Sequence, residues 1–321
     1  TGDPALGDRL EKLAFNALPG AFTDDMWAHQ YNQEPNQVES SLHRRPWTTD
    51  GPESNLYGLE PNFGCCTANF HQGWPKFAAS LWMASADDGL VAAAYSPCNV
   101  RTQLRGIDVK IREETEYPFR GTVRIIVDPA SRASFPLRLR IPSWAAGTSI
   151  RVNGQTIQAP EAGTFAKVDR TWKAGDVVEL TMPLRPRLLR GYNSSVSIER
   201  GPLVFSFPIG EDWVKLRDRR MTNDWQVFPA SQWNYALAVE KNIADSPGSE
   251  DPIGTRPFAR SGTAVTLYVD ARKLPSWRAV DGAADPVPQS PVKSDEPLER
   301  ISLIPYAAAK LRITAFPELE S

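Results

Sequence analysis

From residue 88 onward the chain is cut by Gly, Pro, Asn and Asp into short runs that are either alternating or wholly apolar. These are "LVAAAYS", "GTVRIIVD", "PLRLRIP", "SIRVNGQTI", "DVVELTM", "SVSIERGPLVFSF" and "AVTLYVD". Runs of this length and period suit antiparallel strands that bury one face, and leave little room for helices. Asn153-Gly154 stands between two of them, where a hairpin turn needs residues that tolerate positive φ. With 28 prolines punctuating the short runs, the pattern predicts a β-sandwich region. Residues 210–260 are less regular and carry Trp213, Trp225 and Trp233 in polar surroundings, which predicts an excursion or long loops. No repeat of 20 to 50 residues stands out.

Only the N-terminal quarter reads as helical. In "DPALGDRLEKLAFNAL" the residues Leu6, Leu10, Leu13, Ala14, Ala17 and Leu18 fall at helical spacing, with Asp3 as N-cap and Pro4 in the first turn. "WPKFAASLWMAS" is a second helix candidate, started by Pro75 and stopped by the turn-forming "ADDG". One apolar helical face needs a partner, so the helices that pack against it are expected upstream, outside this chain. Between the two helices, residues 24 to 62 are rich in Asn, Gln, Pro, Trp and Tyr without periodicity, the composition of a long structured loop over a site.

The chain is 321 residues long, enough for two domains or one large one, and is 41% hydrophobic with a net charge of -2. Mixed charge without basic or acidic blocks points to neither nucleic acid nor an anionic membrane as partner. No apolar run reaches the roughly 18 to 20 residues of a membrane span, and no signal segment opens the chain. It reads as soluble, secreted or cytoplasmic. The reactive residues are lopsided: His29, His43, His71, Cys65 and Cys66 lie in the first quarter, and the strand-rich part has only Cys98.

Cys65 and Cys66 are adjacent in a chain with three cysteines. Three readings stay open on the residues alone. A vicinal disulfide is awkward, since neighbouring Cα atoms are about 3.8 Å apart and disulfides prefer roughly 4.4 to 6.8 Å. Two buried, inert thiols at a helix entrance are a second reading. Metal ligation or nucleophilic catalysis is the third, although a structural zinc needs about four ligands and no matching spacing accompanies the pair.

"NFGCCTANFHQGWPKFAASLWM" followed by "DDGLVAAAYSPC" resembles the β-L-arabinofuranosidase-like glycoside hydrolases. "RLEKLAFNALPGAF", "LRLRIPSWAAGTSIRVNG", "RTWKAGDVVELTMPLRPRL", "IERGPLVFSF" and "ISLIPYAAAKLRITAFP" extend the resemblance over nearly the whole chain. It implies a mainly β fold with an N-terminal helical part: residues 1–86 as the last helices and active-site loop of an (α/α)6 catalytic barrel, and 87–321 as a β-sandwich region of one or two sandwiches. It further implies Cys65 as nucleophile and zinc ligand and Cys66 as second ligand, with Zn2+ as cofactor. The remaining ligands, a Glu-x-Cys motif, and the acid/base glutamate are expected upstream, on the N-terminal barrel segment; this sequence has no Glu-x-Cys. Relatives often carry Cys-Cys-Pro-Pro-Asn, whereas this chain has Cys65-Cys66-Thr67-Ala68-Asn69.

Retaining glycosidases normally use two carboxylates, and a cysteine can replace the nucleophilic one only as a thiolate. A coordinated thiol is deprotonated by the metal. The polar loop and its surroundings offer His29, Tyr31, Gln33, Asn36, Asn69, His71 and Trp74 as contacts for a carbohydrate, an arabinofuranoside or related glycan. Glu34 and Glu39 are the nearby carboxylates. The alternative from another class is a noncatalytic carbohydrate-binding or assembly β-sandwich module with vestigial helices.

Overall fold

The computed structural model describes residues 2–157, 160–239, 243 and 248–320. By their internal contacts they form two compact units, residues 1–14 with 72–185 and residues 15–71 with 186–321. The chain is mainly β with few helices.

In the first unit the opening helix, Pro4–Lys12, begins as its sequence dictates. The Asp3 carboxylate accepts the Ala5 N–H at 2.9 Å, and Pro4 sits where no N–H is required. The helical run then continues as a π-helical turn, Leu13–Ala17, and a closing turn, Leu18–Gly20; from Phe15 on, its residues belong to the second unit. A four-stranded sheet holds Trp82–Ala84, Leu90–Ala92, Ala133–Ile141 and Thr164–Trp172 in that order, with Leu90–Ala92 parallel to Ala133–Ile141. A six-stranded antiparallel sheet runs Cys98–Leu104, Ile107–Thr115, Thr122–Pro129, Asp176–Thr181, Ser149–Val152, Gln155–Thr156. Leu137, Leu139 and Ile141 of one sheet and Val109, Ile111, Val123 and Ile125 of the other are all buried, as in a β-sandwich. Each such side chain stabilises the fold by about 1.5–3 kcal/mol. Asn153 and Gly154 make the predicted turn, with φ of 52° and 80°.

One sequence expectation is corrected here. The second helix stops at Ala79, and Trp82–Ala84 is a strand rather than its last turn. "ADDG" closes a hairpin in which Ser85 N–H bonds Gly89 O at 2.9 Å, so pairing with Leu90–Ala92 outcompetes helix propagation.

The opening helix is tied to the sheets by a buried charge cluster. Glu11 and Arg140 are both fully buried, 2.5 Å apart, and Asp8 is a second partner of Arg140. Glu11 also accepts from the Tyr95 N–H at 3.0 Å and the Tyr117 hydroxyl at 2.5 Å. Burial raises its pKa, and Arg140 opposes that rise.

Glu113 lies nearby in the chain's buried polar set, accepting from Trp82 Nε1 at 2.8 Å and Ser96 N–H at 3.0 Å. Burial pushes its pKa up to about 8, against the pull of the Trp82 hydrogen bond. The folded state therefore binds a proton that the unfolded chain releases near its ordinary carboxylate pKa. Its contribution to stability is full below that value and is lost as pH rises toward about 8. Urea midpoints taken across this range should fall with pH, and Glu113→Gln should flatten the slope; an unchanged slope would refute it.

The second unit is built on a sheet ordered Pro186–Arg190, Val196–Arg200, Leu203–Pro208, Leu298–Pro305, Val265–Lys273, Tyr235–Ala238. Gly248–Glu250 and Arg312–Ile313 pair onto it. The irregular reading of residues 210–260 is corrected in part: Glu211–Asp218 and Asn223–Pro229 form a hairpin with a bulge between Lys215 and Arg217. Its register sets Trp213 against Val227 and Lys215 against Trp225, and such cross-strand pairs stabilise a strand whose outer face is polar. The loop over residues 24–62 is irregular, as expected, yet pinned. Ser40 and Val227 exchange backbone bonds at 2.9 and 2.7 Å, and Trp225 N–H bonds Tyr57 O at 2.7 Å. No helix among the described residues is long and apolar enough to cross a membrane.

Candidate active site

The paired cysteines sit on a short helix that the sequence reading missed, Gly64–Phe70. Phe63 precedes it in extended conformation, and Cys66 N–H closes the first turn on Phe63 O at 3.1 Å. Three side chains seat this helix on the polar loop. Phe70 lies 4.2 Å from the Phe22 ring and 5.1 Å from the His29 ring, Phe63 meets Tyr31 edge-on at 5.7 Å, and Thr67 reaches His29. Seven residues are too few for a stable helix in isolation, so packing holds it.

Cys65 is exposed, Cys66 is half-buried, and their Sγ atoms are 3.9 Å apart. Both thiols are free. A disulfide would need about 2.05 Å, and an exposed Cys65 is no buried hydrophobe. Two thiolates on one tetrahedral zinc at about 2.3 Å would lie about 3.8 Å apart. The pair therefore fits one edge of such a site. Among the described residues no group of three or more His, Cys, Asp or Glu is placed to hold a metal.

The electrostatics work against a thiolate. Partial burial raises the Cys66 pKa first, then the neighbouring Cys65, while the Tyr31 hydroxyl pulls it down and Asp50 pushes it up. No cation is among these influences. Asp50 is itself held ionised by Asn32 at 2.9 Å and Thr48 at 3.0 Å, and it also raises Tyr31. A cation beside the thiols would reverse this balance.

His29 is buried, and burial lowers its pKa against the pull of the Gln30 backbone, which favours the neutral ring. Its Nδ1 lies 3.1 Å from Gln30 O, which can only accept. The proton therefore resides on Nδ1, and Nε2 accepts from the Thr67 hydroxyl at 3.1 Å. His29 thus locks the loop to the helix residue next to Cys66.

The structure brings His29, Tyr31, Cys65, Cys66 and Asn69 into one neighbourhood; Asn69 Nδ2 donates to Cys65 O at 2.7 Å. His71 is exposed at the end of the same helix. Gln33 and Asn36 are committed elsewhere. Gln33 donates to Ala17 O and accepts from the Tyr306 hydroxyl at 3.0 Å, and Asn36 clamps Thr314 and Ala315 through three bonds of 2.9 Å. Trp74 belongs to the other unit, half-buried and edge-on to Phe77 at 5.9 Å. Glu34 faces Arg45 at 3.6 Å, with burial pushing its pKa up to about 7 despite Arg45 and Arg312, and Glu39 pairs with His43 at 2.7 Å. Cys98, also in the other unit, is pushed up to about 12 by burial and Glu113, an inert thiol. Thr67 and Asp50 were not singled out from sequence. Their roles depend on partners 38 positions away for Thr67 and on the folded loop for Asp50, which no local spacing shows.

Residues 89–184 match the model of the middle domain of the GH127 β-L-arabinofuranosidases. No curated protein matches the chain. Among solved structures, a glycoside hydrolase aligns with a TM-score of 0.70 at 24% identity, over 100% of this chain and 49% of that one. A GH127 β-L-arabinofuranosidase from Geobacillus stearothermophilus T6 aligns at 0.67 with 21% identity, over 98% of this chain and 46% of its own. A GH127 β-arabinofuranosidase aligns at 0.67 with 19% identity, over 99% and 46%. The chain spans about half the length of each of these proteins, and likeness at this identity is a likeness of fold. With the match over residues 89–184 and the shared fold together, the chain resembles a GH127-like C-terminal portion, as its motifs implied.

Proposed function

We propose that the chain is the C-terminal portion of a retaining exo-glycoside hydrolase acting on an arabinofuranoside or related glycan. In this reading residues 1–86 complete an (α/α)6 barrel, 87–321 form its β-sandwich region, and the upstream barrel segment supplies the acid/base glutamate and the remaining zinc ligands. The observation that carries it is the pair of free Sγ atoms 3.9 Å apart, with Cys65 exposed.

Cys65 and Cys66 would hold Zn2+, which when bound keeps both thiols deprotonated at neutral pH. Cys65 Sγ, the exposed one, attacks the anomeric carbon. The glycosidic C–O bond breaks as the upstream glutamate gives its proton to the leaving oxygen, and a C–S bond forms. Water, losing a proton to the same glutamate, then displaces the sulfur, and the sugar departs with retained configuration. Tyr31 donates toward Cys66, and His29 with Thr67 fixes the helix that carries both sulfurs. Of the expected sugar contacts, Tyr31 and Asn69 stand beside the thiols and are the ones assigned to the substrate.

Metal analysis paired with release of sugar from aryl arabinofuranosides is the test. The full-length protein should hold one zinc per chain and release sugar, while these 321 residues alone should hold less zinc and release none. Turnover by this chain alone at the full-length rate would overturn the upstream acid and the divided zinc site.

A further inference from the structure

The second unit contains a pocket of about 320 Å³ that includes none of the residues around the thiols. Trp213 and Trp225 line it as an edge-to-face pair, ring centroids 6.1 Å apart and planes at 80°. Their two surfaces form an apolar corner. Three acidic and three basic side chains, among them Asp24, Glu211, Arg260 and Lys310, share the rest of the lining with Thr23, Thr222 and Ala308.

The polar wall is preset. Glu211 Oε1 accepts the backbone N–H of Lys310 at 3.0 Å and of Leu311 at 3.3 Å, and Oε2 accepts Trp213 Nε1 at 3.0 Å. Arg260 stands 3.7 Å from the same carboxylate. Lys310 is buried, donates to Ala307 O at 2.8 Å and faces Asp24 at 3.7 Å. The hairpin that carries both tryptophans is anchored at Tyr57 and Ser40. The corner is therefore built on paired strands rather than on a free loop.

Equal numbers of positive and negative groups give the pocket no preference for a charged ligand. They suit a ligand whose groups both donate and accept, and the aromatic corner suits one with an apolar C–H face. A hydroxyl-rich ring has both properties. The volume is at the lower end of the roughly 300 to 1,000 Å³ of small-molecule sites.

We propose that this pocket binds one neutral sugar unit, as a site separate from the thiol pair. The inference goes beyond the catalytic reading and does not need it to hold.

The test is saturation-transfer NMR and tryptophan fluorescence of the chain with L-arabinose, an α-1,5-arabino-oligosaccharide and a xylo-oligosaccharide, with glucuronate as the charged comparison. At least one neutral probe should bind with a dissociation constant on the order of 1 mM. Trp225→Ala should weaken it by about tenfold, the loss of one stacked aromatic contact. Asp24→Asn, at an exposed position, should weaken it without disturbing the fold. Cys65→Ala should leave it unchanged. Absence of saturable binding by every neutral probe, binding indifferent to both pocket variants, tighter binding of glucuronate, or loss of binding in Cys65→Ala would each overturn the proposal.

Discussion

Replacing Cys65 by alanine in the full-length protein should abolish sugar release and leave the fold intact. Cys65 is exposed, so deleting its sulfur opens no cavity and strands no buried partner. If Sγ is the atom that bonds the anomeric carbon, its removal should cost at least about three orders of magnitude in kcat, roughly 4 kcal/mol of barrier. Cys66→Ala should also lower zinc content, since both sulfurs are assigned to the metal, but it keeps the sulfur assigned to the sugar and should retain measurable turnover when zinc is in excess. Steady-state rates on an aryl arabinofuranoside with added zinc, with circular dichroism and bound zinc measured on the same samples, separate the two. Full activity in Cys65→Ala would remove the nucleophile assignment.

Glu11→Ala should destabilise the first unit strongly. The carboxylate is fully buried and serves Arg140, the Tyr95 N–H and the Tyr117 hydroxyl together. Its removal strands these donors where water cannot reach them. Breaking a buried ion pair by deleting one partner costs about 3–5 kcal/mol, and here Asp8 remains to Arg140, which places the expected loss near 3 kcal/mol. Glu11→Gln keeps an acceptor and most of the shape, so it should cost less. Guanidinium unfolding followed by fluorescence measures both. A loss below about 1 kcal/mol for the alanine variant would mean that the cluster can be rehydrated or that Asp8 substitutes fully.

Much of the β architecture was legible because alternation and turn chemistry act locally. Asn153-Gly154 specifies its own hairpin, and Asp3-Pro4 starts the first helix at the expected residue. The Glu211–Asp218 hairpin was hidden because its stability comes from cross-strand tryptophan contacts, which a one-strand pattern does not reveal. The Gly64–Phe70 helix was hidden for a related reason. Its apolar stripe is a single short one, Phe63, Cys66 and Phe70, broken by Thr67, and Phe63, Thr67 and Phe70 are held by loop residues remote in sequence. The cysteine pair is legible in the sequence, but what it can do depends on the distance between the sulfurs. Adjacent residues on one helical turn place their sulfurs 3.9 Å apart, a spacing that suits shared coordination and not a bond between them. Gln33 and Asn36 show the opposite limit. Their composition suited sugar recognition, whereas folding commits both amides to Tyr306, Thr314 and Ala315.

Acid-quenched peptide mapping of the full-length protein, taken while it is incubated with a slow arabinofuranoside, tests the central claim most directly. The account predicts one sugar residue attached through sulfur to the peptide that contains Cys65, and its absence in Cys65→Ala. A sugar attached to a carboxylate instead, with Cys65 unmodified, would contradict it.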